Sequence, residues 1–328
     1  VEVSKVFNID TDRDIISESA NIFRDYTFDT FANYNNTFND THKLDVTLGT
    51  SVFQTTGRFT GFTGINVPGT TGIDVDIQDA EIVTNNFQNG GNTFDARLLS
   101  YFARVQYDYK GKYLFSGVMR RDGSTKFGPS NKFGYFPSAS AGWIVSEEGF
   151  LNDSNTFDFL KIRTSYGILG NDRIRDFGFE SLLNGEGAYV FDDELIIGTA
   201  IGGLSNPEIR WEKQYTFDVG LDAKFFDNKL DVSLDYFNRR TEDLLITPQT
   251  SGILGGNAPG SGAPTVNAGS VENTGLELSL SYRKTVSEDF KYNFSFNATA
   301  LENEVIEVNG ESSFLAGGSF GIGQEAPA

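Results

Sequence analysis

Three groups of side chains in this sequence have the types and spacing to do chemistry. Arg120, Arg121 and Asp122 stand together in "SGVMRRDGSTKFGPSNKFGYFPSASAGW" (116–143), where two permanent cations beside a carboxylate could grip an anion or furnish a charged active-site loop. In "GIDVDIQDAE", Asp74, Asp76, Asp79 and Glu81 offer clustered oxygen ligands of the kind Ca²⁺ takes. That run lacks the Gly and the distal Glu of an EF-hand loop, so alternating acids on a solvated strand are the plainer reading. His42 is the only histidine. It sits in "THKLDVTLG" with no neighbouring nucleophile, which makes it a wall or rim residue before it is a catalyst.

Paired carboxylates, Glu147–Glu148 and Glu242–Asp243, stand where strands end, and nothing in their spacing builds the pocket a glycosidase needs. The chain has no cysteine, which removes disulfides, Fe–S clusters, thiolate zinc sites and thiol nucleophiles together. A G-x-S-x-G elbow and a P-loop are also missing. The expectation is no enzyme, no catalytic residue and no cofactor, with Ca²⁺ in an outer loop as the one metal to test.

The elements that position these residues are strands. In "FKYNFSFNATA", Phe290, Tyr292, Phe294, Phe296, Ala298 and Ala300 fall on one face, and Lys291, Asn293, Ser295, Asn297 and Thr299 fall on the other. Only a period of two sorts them this way. "GLELSLSYR", "YTFDVGLDAKF", "LDVSLDY" and "HKLDVTLGTSV" repeat the pattern. About ten strands follow, near 24–35, 41–53, 97–109, 113–121, 134–146, 157–168, 211–226, 230–246, 271–286 and 290–307.

Their connections alternate in length. "NNTFND", "KGK", "DNK" and "SED" are short, whereas 54–96, 169–210 and 247–270 are long. If every strand reverses direction, the short turns gather at one end and the long loops at the other, as in an outer-membrane barrel. Aromatic residues flank the short turns: Tyr107, Tyr109, Tyr113 and Phe115 beside "KGK", and Phe225 and Phe226 beside "DNK". They are either an interfacial girdle or cross-strand pairs of a soluble hairpin. The formal net charge of −19, from 45 acids against 26 bases, opposes a nucleic-acid partner, whose phosphates require clustered Lys and Arg.

The stretch "YLFSGVMRRDGSTKFGPSNKFGYFPSASAGWIVSEEGFL" (113–151) followed by "LKIRTSYGILGN" (160–171) closely resembles the SusC/RagA-like family of TonB-dependent outer-membrane transporters of Bacteroidetes. "NPEIRWEK" (206–213), "LDYFNRRTEDLL" (234–245), "NAGSVENTGLELSLSY" (267–282) and "NFSFNATALENEV" (293–305) continue the likeness in order. The resemblance implies an all-β antiparallel transmembrane barrel of about 22 strands with a plug in its lumen. It also implies a TonB box, a SusD-like surface lipoprotein and gated import of oligosaccharides or peptides across the outer membrane.

The expectation is that residues 1–328 are the central part of such a barrel domain, with the plug and the closing strands lying outside them. The alternative is a secreted or surface β-protein that binds carbohydrate or mediates adhesion without transport. The loops expected at substrate or lid carry Phe62, Phe87, Phe94, Tyr189 and Phe191, with packing among the loops as the plainer role for each. Arg120, Arg121 and Asp122 are expected at the outer rim, one arginine pairing with an acid on a neighbouring strand or loop. Gly123 is expected to make a tight turn, and Pro137 to sit near the start of its strand.

Overall fold

The structure is a computed structural model. It describes all residues except 1, 10–13, 67–76, 86–91, 152–155, 175, 177, 182–184, 193, 201–203, 248–262 and 308–328. The chain divides into two compact units, one of residues 1–29 with 51–99 and one of 30–50 with 100–328.

The elements are β1 (Glu2–Ile9), β2 (Asp14–Phe38), β3 (His42–Ile65), β4 (Ile82–Asn85), β5 (Asn92–Tyr109), β6 (Tyr113–Ser124), β7 (Phe133–Ile144) and β8 (Phe159–Asn171). After these come β9 (Gly185–Phe191), β10 (Glu194–Ala200), β11 (Glu212–Phe225), β12 (Leu230–Glu242), β13 (Leu245–Ile246), β14 (Val266–Asn267), β15 (Ser270–Thr285) and β16 (Lys291–Glu307). In the larger unit the neighbours run β2-β3-β5-β6-β7-β8-β11-β12-β15-β16, so strands adjacent in the main series are adjacent in space. Every pairing whose register is described is antiparallel.

The ten long strands are those expected from the alternation, but β2 begins at Asp14 rather than near 24, the short β14 lies in the expected loop 247–270, and further strands appear. The described residues of the first-unit segment 54–96, expected as a loop, are largely strand: β3 runs on to Ile65, β5 begins at Asn92, and β4 pairs with β3. A further strand, β1, pairs with β2. The expected loop 169–210 contains the β9–β10 hairpin, a sheet of its own. Alternation had missed these because short or Gly- and Thr-rich strands carry little apolar contrast.

Registers across the larger unit sort the side chains into two faces. One row reads Tyr113, Trp143, Ile162, Leu221, Leu234, Leu278 and Ala298. A second row on the opposite face reads Lys161, Asp222, Ser233, Ser279 and Asn297. The apolar face is open: Leu276 is 51% exposed and Phe294 68%. A soluble sandwich would cover such a face with a second sheet, and a monomer in water rarely exposes so large an apolar patch.

The short turns are tight and left-handed. Asn39 and Asp40 (φ 49° and 56°), Lys110 and Gly111 (58° and 67°), and Asp227 and Asn228 (56° and 59°) all adopt positive φ. Asn, Asp and Gly tolerate that region, and its twist matches that of the flanking strands.

Candidate functional site: the long-loop collar and the polar wall

At the ends of β6, β7, β8, β11 and β12 away from the short turns, five segments of sequence meet. Phe127 is fully buried, and its ring lies 4.9 Å from that of Trp211, which lies 5.3 Å from Phe136. Ile209 is also fully buried. Two glycines make room for this cluster. A methyl group on Gly170 would come within 2.1 Å of the Phe136 ring, and one on Gly134 within 2.3 Å.

Polar contacts lock the cluster to its surroundings. Trp211 Nε1 donates to Lys132 O at 3.3 Å, and Asn131 Nδ2 to Glu208 O at 3.1 Å. Asn267 accepts from Arg210 N at 2.8 Å through its side-chain oxygen, while its amide nitrogen donates to Arg210 O and Asp243 O at 2.7 and 3.0 Å. The Arg210 guanidinium grips Asp243 at 2.6 and 3.1 Å. Glu212 accepts from Asn171 at 2.9 Å and from Leu245 N at 3.0 Å, and Ser124 donates to Asp172 at 2.9 Å. One half-exposed Asn thus satisfies backbone groups of two loops at once, using both its amide oxygen and its amide nitrogen.

The "RRD" cluster belongs to this end. Arg120 Nε donates to both oxygens of Asp122 at 2.8 Å, and Arg120 Nη2 donates to Ser100 Oγ at 2.9 Å. Its acidic partner therefore lies two residues on along its own strand, not on a neighbouring one, because the period of two puts both side chains on one face. Arg121 is turned to the other face, with its guanidinium 3.7 Å from the Phe133 ring centre. Gly123 makes no turn: it lies inside β6 opposite Phe133, whose ring would meet an added methyl at 2.4 Å. Pro137 lies mid-strand opposite Met119.

Along the polar face, Arg163 bridges three strands. It contacts Asp222 at 3.0 Å and Asp235 at 2.7 Å, and Ser233 donates to Asp222 at 2.8 Å. Gly220 supplies the slot, since a methyl there would lie 2.6 Å from the Arg163 Cζ. Lys43–Asp108 at 3.5 Å and Arg104–Asp45 at 3.8 Å extend the band, and Arg283 pairs with Asp231. The result is a charged wall whose ions are neutralised across strands and left partly hydrated.

Other sequence candidates scatter. Asp74, Asp76 and Phe87 lie outside the described residues. Asp79 ends a single 3-10 turn, and Glu81 is exposed and accepts from Asn66 at 3.0 Å. Among the described residues no three His, Asp or Glu side chains gather as a metal site. Phe94 packs against Phe59 at 5.8 Å and Phe23 at 6.4 Å in the smaller unit, and Gly57 leaves room for its ring. Phe62 is exposed on β3. Tyr189 and Phe191 stand 72% and 65% exposed on the β9–β10 hairpin. His42 Nδ1 meets Tyr107 OH at 2.7 Å, with its ring 4.8 Å from that of Tyr109, so it is part of an aromatic cluster.

The residues that sequence reasoning missed are Arg163, Arg210 and Asn267, and it took Asp243 only as one of a pair of carboxylates at a strand end. All four stand in the motif blocks already quoted, but their meetings are a matter of strand register and of loop closure over tens of residues.

Comparison with known proteins agrees with this geometry. The profile of the family "TonB dependent receptor-like, beta-barrel" matches residues 4–320. A TonB-dependent receptor of Formosa agariphila is 35% identical over 316 residues, covering 95% of this chain and 29% of the relative. The TonB-dependent receptor SusC of Bacteroides thetaiotaomicron is 37% identical over 217 residues, covering 65% of this chain and 21% of the relative. The solved structure of the RagAB peptide importer in its closed-closed state superposes with a TM-score of 0.76 at 24% identity, over 92% of this chain and 32% of that one. This chain spans less than a third of the length of the two receptors. It belongs to the TonB-dependent receptor-like β-barrel family, whose members reside in the outer membrane.

Proposed function

We propose that this chain forms wall and long loops of a TonB-energised outer-membrane importer that takes up oligosaccharides or peptides with a SusD-like lipoprotein. The observation that carries the reading is the pairing of an open apolar face with an ion-paired polar face on one sheet, which suits lipid outside and a hydrated lumen inside. The short-turn end is then periplasmic and the collar extracellular, where loops would meet cargo and lid. RagAB carries the description of a peptide importer, and SusC that of a TonB-dependent receptor, which supports the importer class while leaving both cargo chemistries open.

In this reading the ten long strands are part of a larger closed wall, with the TonB contact and a plug supplied by other parts of the protein. Within the described residues, β16 pairs only with β15 and is exposed along nearly its whole length, as an edge awaiting a further strand would be. Deleting the gene, or TonB, should abolish growth on one polymeric or peptide nutrient while growth on its monomers continues. Unchanged growth on every polymer and peptide source would reject import.

A further inference from the structure

Arg121 is the one side chain of the "RRD" cluster that the collar does not use. Its partners on the sheet are Tyr135 in β7 and, one strand before, Tyr101 in β5, and with Phe133 they form an aromatic cradle at 5.8, 6.0 and 3.7 Å from the guanidinium carbon. Asp122 faces the other way and holds Arg120. Among the described residues no carboxylate pairs with Arg121, and its Nε is buried without a hydrogen-bond partner. A guanidinium stacked on rings, with its Nε shielded and no carboxylate at hand, has its terminal Nη1–Nη2 edge unspent.

Its height on the sheet is informative. Tyr113 and Trp143, stacked at 6.5 Å, mark the aromatic band at the short-turn end of the same face. Arg121 stands eight residues farther along β6, and eight residues at about 3.3 Å each give roughly 26 Å along the strand, or about 20 Å of height at the ~35–45° tilt of such strands, which carries it across most of the roughly 25 Å apolar band of an outer-membrane barrel. Arg121 therefore stands where lipid headgroups lie.

Between the two bands the same face is grooved. Gly117 and Ala139 floor a hollow of about 470 Å³ walled by Val105, Tyr107, Phe115 and Tyr166. A methyl group on Gly117 would touch nothing within 4 Å.

Resting on the outer-membrane reading above, we infer that Arg121 and its aromatic cradle bind the phosphate of an outer-leaflet lipid whose acyl chain lies in the Gly117–Ala139 groove. The charge fits, because the guanidinium offers two parallel N–H donors to one phosphate. The shape fits as well, because the groove lies on the same face, begins at Gly117 four residues nearer the membrane centre than Arg121, and is lined by apolar atoms.

The test uses the full receptor purified from outer membranes in a zwitterionic detergent. The probes are lipid A carrying a phosphate, the same lipid with its phosphate removed, and inorganic phosphate alone. Bound lipid is counted by native mass spectrometry, and folding is checked by heat-modifiable migration. Wild type should retain the phosphorylated probe over the dephosphorylated one by about tenfold, the scale of one charge-assisted bidentate contact.

Arg121→Gln should erase that ratio while the barrel stays folded, Arg121→Lys should keep part of it, and Gly117→Leu should lower retention of both lipids. An undiminished ratio in Arg121→Gln would overturn the inference. So would inorganic phosphate displacing the lipid at equal concentration, which marks a free-anion site. Wild type that fractionates with the outer membrane yet shows no lipid preference would sink this inference alone, whereas absence from that membrane would sink the reading beneath it.

Discussion

The two ends of the larger unit are built on opposite principles. At the short-turn end each turn holds its own shape with internal bonds, Gly111 N donating to Asp108 Oδ1 at 2.6 Å, Lys112 N to Tyr109 O at 3.0 Å and Lys229 N to Phe225 O at 3.0 Å, and single bonds such as Lys110 N to Thr41 O at 2.7 Å and Asn228 N to Asp158 Oδ2 at 2.9 Å tie it to the next turn. Beside these turns Glu148 accepts from Tyr113 OH at 2.7 Å and Trp143 Nε1 at 3.1 Å, with Lys112 Nζ at 3.5 Å. The contacts that lock the collar's aromatic cluster bridge residues 24 to 79 apart, as in Asn267–Asp243 and Trp211–Lys132. Local closure makes an end that any hairpin can form early. Distant closure makes an end that exists only when the whole sheet is in place, because loop-closure entropy must be met before such contacts are gained.

The sharpest way to break this contrast is Trp211→Ala. It removes a ring that is 5% exposed and joins Phe127, Phe136 and the Lys132 carbonyl. A loss of about 3–5 kcal/mol in local stability is expected, the usual scale for deleting a buried aromatic ring. Hydrogen exchange should rise at 125–136 and 205–212 and stay unchanged at 107–115. Equal loosening of both ends would mean that the collar is not a separate cooperative unit.

Gly170→Ala presses a methyl group into the Phe136 ring from the other side. Overpacking of this kind costs about 1–3 kcal/mol, and a Phe136→Leu second change should restore part of it. If the double variant is no more stable than the single one, the slot is not what fixes glycine at this position.

Asn267→Ala takes away two donated bonds and one accepted bond that tie Arg210 and Asp243 together. About 1–3 kcal/mol is expected, most of it from backbone groups left unpaired. Proteolysis should then cut within 204–211 and 244–269 before it cuts any short turn. The Arg210–Asp243 ion pair, with side chains 55% and 27% exposed, contributes less, about 0–1 kcal/mol.

The smallest effect is at the other end and depends on pH. The hydrogen bond from the Tyr113 hydroxyl, followed by that from Trp143 N–H, holds the Glu148 carboxyl below its ordinary value of 4.5. A carboxylate with a depressed folded value stabilises the protein fully above its unfolded value, and that stability is lost as pH falls through the folded one. Acid should therefore lower the unfolding temperature of wild type more than that of Glu148→Gln, with the two variants differing most near neutrality. A constant difference down to the lowest pH would show that the carboxylate charge is not what the ring donors hold.

Legibility follows the same divide. Tyr107, Tyr109 and Tyr113 flank the "KGK" turn within a few residues, so their clustering could be read from spacing, whereas the packing of His42 against Tyr107, 65 residues away, could not. Arg120–Asp122 shares a strand and a face, yet a partner on a neighbouring strand was expected, since the sequence does not say which of several nearby acids a flexible guanidinium takes. Arg163 reaches Asp222 and Asp235, 59 and 72 residues away, and no pattern along one strand announces that.

What the sequence determined by itself is the period of two, and with it the ten strands, the two faces and the alternation of short and long connections. That information is local, because side-chain direction in a strand is set residue by residue and a tight turn is set by a few Asn, Asp and Gly. Only the tertiary structure decided that the motif blocks converge on Trp211 and Asn267, that Gly220 and Gly170 are slots for Arg163 and Phe136, and that Arg121 looks away from the collar. These depend on register between strands and on loops closing over distance, where packing selects one arrangement among many that the same local pattern permits.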